Sequence, residues 1–226
     1  MAQRQGTQRS PAPAAETYAP DHLPELGDLR FRALLPAEDW AALPPAVRQR
    51  FSKRLAGGAT VVYVGVVVET RMSRAGWWLA QAARLIGAPL PTARDAGVPS
   101  VVTVTEDVAT GGQIWTRLYA RRSGFPQVIH SSKRFAGPTG LEEYVGRGVG
   151  MALSVHVEAA ALAFRSAHYF LSLGGMRVRL PAWATPGALC VTHANQGEGR
   201  FVFTLELAHP LLGTLIRQTV AFKDPT

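Results

Sequence analysis

Three side chains on one short stretch have the types and spacing to hold a ligand. In the run 112–122, Trp115, Arg117 and Tyr119 alternate with Ile114, Thr116 and Leu118. That is the period of a strand with two different faces. Turned into an enclosed interior, an Arg among aromatics suits an apolar ligand that bears a carboxylate or similar anion, because a guanidinium offers charge-assisted hydrogen bonds. Turned outward, the same face is a solvated Arg between surface aromatics. The sequence leaves both orientations open. Trp78, from the Trp77-Trp78 pair, would line the mouth of such an interior. The candidate ligand-binding residues are therefore Trp78, Trp115, Arg117 and Tyr119.

No catalytic or metal motif accompanies them, so no cofactor and no reaction is assigned. The six histidines form neither HExxH nor paired Cys/His spacing. His156 and Glu158 share a strand face, but two ligands two apart are a weak metal signal. Nucleophilic catalysis needs a base-activated Ser or Cys. Ser131 is next to His130 and points to the opposite face of a strand, and there is no G-x-S-x-G elbow. Cys190, in ALCVT, reads as a packed thiol. Folding 137–140 as a hairpin sets Arg134 opposite Glu143, an ordinary cross-strand ion pair. GGQ (111–113) and GRGVG (146–150) lack the strand–turn–helix setting of a phosphate loop.

Elements that could position the candidates are marked by the breaks ATGGQ, RSGFP, AGPTG, GRGVG, LGG, NQGEG and AHPLLG, spread over 109–213. Between them lie short runs rich in Val, Ile, Thr, Phe and Tyr, the pattern of consecutive antiparallel hairpins. Strands are expected at 59–71, 99–108, 112–122, 126–136, 140–146, 150–158, 161–171, 176–180, 187–195, 200–208 and 214–222. Phe201, Phe203, Leu205 and Leu207 should share one face. Gly65, within the first of these strands, marks a bulge or a close backbone approach. Residues 43–55 read as a helix with Leu43, Val47, Phe51 and Leu55 in one stripe. Residues 72–87 read as a second helix, capped by Ser73 and stopped by Gly87, with Ala75, Trp78, Leu79, Ala82, Leu85 and Ile86 on its buried face. The expected class is mainly β (α+β): a strongly curved antiparallel meander sheet or barrel, with two or three capping helices. Residues 1–27, rich in Pro, Ala, Gln and Thr, read as a disordered tail, and 28–226 as a single β-rich domain.

Composition narrows the partners. The net charge is +8, yet 21 of the 24 basic residues are Arg, spread along the chain rather than in a block. That distribution, beside abundant Ala and Gly, gives no ground for a nucleic-acid partner. No apolar run reaches the roughly 18–20 residues of a transmembrane segment. A single Cys and the lack of an apolar leader at the start of the sequence fit a cytoplasmic protein.

WTRLY (115–119), HSSKRF (130–135), LEEYVG (141–146), MRVRLPAWATPG (176–187) and F-V-F-x-L with HPLLGTLIRQTVAF (201–222) occur in this order. In order and spacing the chain, over about 34–224, resembles the domain of unknown function 4166 family. The resemblance implies no established catalytic residues. It implies a possible oxidoreductase partner, since a similar domain follows a saccharopine-dehydrogenase-like or other nucleotide-binding domain in some bacterial proteins. Phe51 stands where many members have a His.

Three functions follow as expectations. The first is non-catalytic binding of a small apolar or lipid-like ligand, or an accessory role beside an oxidoreductase. The second is an enzyme of unrecognised type whose cavity holds Arg117, Glu142 and a His. The third is a basic membrane-surface or interaction module using the Trp77-Trp78 helix.

Overall fold

The computed structural model describes residues 26–174 and 176–225. Of the expected tail at 1–27, residues 1–25 lie outside them, while Leu26–Gly27 form a short paired strand. Eleven strands are joined in one antiparallel sheet: β3 (Thr60–Met72), β4 (Pro99–Asp107), β5 (Gly112–Tyr119), β6 (Gln127–Arg134), β7 (Glu142–Gly146), β8 (Val149–Glu158), β9 (Ala161–Leu173), β10 (Met176–Arg179), β11 (Ala188–Gly197), β12 (Arg200–His209) and β13 (Gly213–Lys223). Two short strands, β1 (Leu26–Gly27) and β2 (Lys53–Arg54), pair separately.

The sheet closes. β9 pairs with β8 along one edge, and on its other edge with β11 at residues 162–165 and with β10 at 170–173. Ten strands therefore form a complete antiparallel barrel, and β10 is a flap beside the far half of β9. Closure leaves every wall strand with two partners, which removes the exposed edges an open meander would present. The hairpins foreseen from the Gly and Pro breaks are present, with boundaries moved by a few residues.

Two helices plug one end. α1 (Ala37–Ala42), α2 (Pro45–Phe51) and the link between them insert Trp40, Leu43, Val47 and Phe51 into the barrel, where all are buried. Each large apolar side chain so buried contributes about 1.5–3 kcal/mol. Phe31 packs edge-on against Phe51 and Phe135 in the same plug. The expected helix over 43–55 is shorter than its stripe, because Lys53 and Arg54 leave it to pair with β1.

The opposite end carries α3 (Arg74–Ala82), continued by a 3-10 turn at Ala83–Ile86. Ser73 caps it, its Oγ accepting the Gly76 N–H at 3.0 Å. The buried face differs from the expected one. Gly76, Ala80 and Ala83 are buried, Ala75 and Leu79 pack on the core, and Trp78 and Leu85 point outward. The reason is close approach: a Cβ on Gly76 would collide with the Leu215 carbonyl, so small residues let the helix lie directly on β13. Gly65 likewise marks a close approach, to the Ala221 carbonyl, while the bulge in β3 falls beyond it, opposite Thr219 and Val220.

One register expectation is corrected. Arg134 pairs with Glu142 and Lys133 with Glu143, one residue away from the foreseen pairing. A one-residue shift exchanges which side chain enters the barrel, so Glu143 faces inward with Lys133, and Arg134 instead lies 3.6 Å from Asp107.

Candidate functional site

The barrel is hollow. Its cavity of about 500 Å3 falls in the usual size range of small-molecule sites. The floor is Phe51 of the helical plug. The mouth lies at the α3 end, between Leu79, Ala83 and Ile86 on one side and Trp183, Thr185 and Pro186 on the other. Gly187 permits the second side. Its φ of 106° is in the left-handed region, and a Cβ there would strike the Ala208 carbonyl.

Trp115, Arg117 and Tyr119 all line this cavity, so the face left open by the sequence is the inner one. Trp78 is not brought to them. It is 67% exposed on α3, packed edge-on against Trp77, while Leu79 beside it reaches the mouth. Phe203, Leu205 and Leu207 of β12 line the cavity, as their alternation foretold. β12 stands across the ring from β6. One wall is thus aliphatic and aromatic, and the other holds the charges.

That charged wall is built by three adjacent strands. Arg117 of β5 donates to Ser131 Oγ of β6 at 3.0 Å and to Glu143 Oε1 of β7 at 3.4 Å. Lys133 Nζ donates to Glu143 Oε2 at 2.7 Å. The Trp115 ring lies beside both cations, with Lys133 Nζ at 5.2 Å and the Arg117 guanidinium at 5.8 Å from its centroid. The Trp115 indole N–H donates to Gln113 Oε1 at 3.1 Å.

Electrostatics follow from this arrangement. Burial works to raise Glu143, but the charges of Lys133 and Arg117, with hydrogen bonds from Lys133 and Ser131, outweigh it and hold the carboxyl at about 2. Burial pushes Lys133 down, and Arg117 adds to that, while Glu143 opposes. Burial raises the Tyr119 hydroxyl. One carboxylate serves two cationic side chains, so the cluster is short of one negative charge.

Ser131, Lys133 and Glu143 were not among the sequence candidates. A signal existed: alternation over 127–134 places Ile129, Ser131 and Lys133 on one face, and a Lys in line with a buried Ile is unusual in a strand. The trio of Arg117, Glu142 and a His is not assembled. Glu142 is bonded to Arg177 and Tyr144, away from the cavity lining. His130 is part of the cavity lining, but its ring nitrogen bonds Thr116 on an exposed side, away from Glu142. Cys190 is half-buried, and burial raises its thiol, away from a reactive thiolate. Among the described residues no group of His, Cys, Asp and Glu could hold a metal ion.

Beneath the cavity sits His193, 1% exposed, between the rings of Phe51, Phe201 and Phe203. Among the described residues neither ring nitrogen has a hydrogen-bond partner. Burial, with Arg50 nearby, lowers it to about 3. Between its ordinary value of 6.5 and 3 the unfolded chain takes up a proton that the folded one refuses, so stability falls as pH falls through this window. From pH 7 to pH 5 the loss attributable to His193 is about 2 kcal/mol. His193→Phe is expected to abolish that part of the acid loss, read from urea midpoints at pH 7 and pH 5. An unchanged pH slope would contradict the account.

The model of the family described as Domain of unknown function (DUF4166) matches residues 43–222, most of the barrel together with α2 and α3. Neither the curated proteins nor the solved structures gave a match. With its plugged ten-strand barrel and hollow interior, the chain belongs to the DUF4166 family of domains of unknown function.

Proposed function

We propose that this barrel binds a small, mostly apolar molecule that carries one anionic head group, an acyl-chain-like carboxylate being the simplest fit. The observation that carries the reading is the charged cluster at Arg117, Lys133 and Glu143, one negative charge short, set in a cavity lined mostly by apolar residues. A ligand anion against Arg117 supplies that charge where water is largely excluded and a charge-assisted hydrogen bond is strong. Phe203, Leu205 and Leu207 across the barrel receive the chain. An accessory role beside an oxidoreductase has only the family resemblance in its favour.

Burial of about 200–300 Å2 of ligand surface supplies roughly 5–8 kcal/mol before association costs, which places affinity in the micromolar range or weaker. The test is a calorimetric titration of wild type and Arg117→Leu with dodecanoate and dodecanol. The wild type should prefer the carboxylate. The variant should lose about tenfold or more for dodecanoate and little for dodecanol, as expected for a hydrogen bond to a charged group. Equal weakening of both, or no binding of either at high micromolar concentration, would overturn the proposal.

A further inference from the structure

We propose that the open end of the barrel docks on the surface of an anionic lipid bilayer, with the cavity mouth facing the lipid. This rests on the apolar-ligand reading above, because a bilayer is where such a ligand resides.

Two properties are concentrated at this one end. The first is apolar exposure. Trp78 and Leu85 project from the α3 segment, Phe125 from the β5–β6 hairpin, Trp183 from the turn after β10, and Leu211 with Leu212 from the β12–β13 hairpin. These segments are far apart in sequence, yet the antiparallel order brings them all to the end where β5, β10, β12 and α3 terminate or begin. Trp183 lines the mouth and is still 86% exposed, and Leu211 is 87% exposed. Leu173, Met176 and Val178, at the end of β9 and on β10, add to the exposed apolar surface near this end, while Leu29 and Val108 lie at the plugged end, Val128 in β6 and the exposed valines of β3 on its outer face.

The second property is charge. The segments at this end, 73–98, 120–126, 147–148, 174–187 and 210–212, carry eight arginines and one acid, Asp95. The segments at the plugged end carry six basic and five acidic residues. Most of the chain's excess charge therefore surrounds the mouth. Arg177 is paired with Glu142. Arg74, Arg84, Arg121, Arg147 and Arg179 are exposed and make no ion pair among the described residues.

The combination specifies the partner. A ring of separate apolar tips, two of them Trp, interspersed with arginines matches the boundary between acyl chains and anionic head groups, where Trp rings sit at head-group depth and cations gain from the surface potential. A protein partner would ask instead for one continuous, closely packed patch. A mouth pressed to the bilayer would let an apolar ligand pass between the two without crossing water.

The experiment is sedimentation with vesicles of phosphatidylcholine alone and with about 30% phosphatidylserine, a fraction chosen to give a surface potential like that of a cytoplasmic leaflet. The intact chain should bind the anionic vesicles more tightly, and salt should weaken the binding. The double variant Phe125→Glu with Leu211→Glu, neither of which lines the cavity, should lose about tenfold or more, whereas Val108→Glu at the plugged end should change nothing. Dodecanoate titration of the double variant in solution separates the two proposals: retained chain binding with lost vesicle binding supports docking on its own terms. Three outcomes would overturn docking. One is no vesicle binding, and another is equal loss in the Val108 variant. The third is concentration-dependent self-association that the double variant abolishes while vesicles bind neither protein.

Discussion

Glu143→Gln should destabilise the barrel by about 3–5 kcal/mol, the cost of leaving buried cations without their counter-charge. Arg117 and Lys133 both contact this carboxylate, and Lys133 and Glu143 are almost fully buried. Glutamine keeps the shape and removes the charge. The same loss is reached in the wild type by acid. The Glu143 carboxyl is held at about 2 in the fold, against 4.5 ordinarily. Its contribution is therefore complete above pH 4.5 and disappears as pH falls towards 2. The variant also probes function. It leaves two cations facing the cavity, so a carboxylated chain should restore part of the lost stability and raise the Tm of the variant more than that of the wild type. Thermal melts with dodecanoate and dodecanol decide this. A variant as stable as the wild type, or rescue by the alcohol equal to rescue by the acid, would contradict the assigned cluster.

Trp115→Ala should cost about 3–5 kcal/mol, and Trp77→Ala much less. Trp115 is 8% exposed, stands 6.0 Å from the Phe203 ring across the interior, and anchors its indole to Gln113. Its truncation removes contacts on every side and widens a space the barrel cannot collapse to fill. Trp77 sits at 37% exposure against its neighbour Trp78, on the outer side of a helix that touches β13 through Gly76. Urea midpoints of the two variants give the order directly. The reverse order would mean that α3, rather than the β5 wall, carries the packing.

Much of this fold was legible because a hairpin meander announces itself twice, through period-2 alternation and through Gly- or Pro-bearing breaks. Trp115, Arg117 and Tyr119 were found that way, from within a single strand. Ser131, Lys133 and Glu143 were missed because a cluster shared by three strands depends on register. The loop between Arg134 and Glu142 shifts the pairing by one residue from a symmetric four-residue turn. That small shift decides whether Glu142 or Glu143 enters the barrel. The face of α3 was misassigned for another reason. Burial usually selects the bulky apolar residues of a helix, but here close approach to β13 selects Gly76, Ala80 and Ala83 and turns Trp78 outward. β1, β2 and α1 are too short to leave a periodic trace. Closure itself depends on β8 meeting β9 along one edge while β11 takes the other, which alternation within a strand does not encode.

The central claim is that a ligand's anionic head lies inside the barrel against Arg117. The direct measurement is a pH titration, by carbon-13 NMR, of dodecanoate labelled at its carboxyl carbon and bound to wild type and to Arg117→Leu. In the wild type the bound resonance should stay at its ionised position from pH 8 to pH 5, because the guanidinium favours the carboxylate over its acid. In the variant, burial without that cation should raise the carboxyl so that it titrates within the same range. A wild-type carboxyl that titrates in this window, or one that behaves identically in the two proteins, would place the head group away from Arg117 and contradict the account.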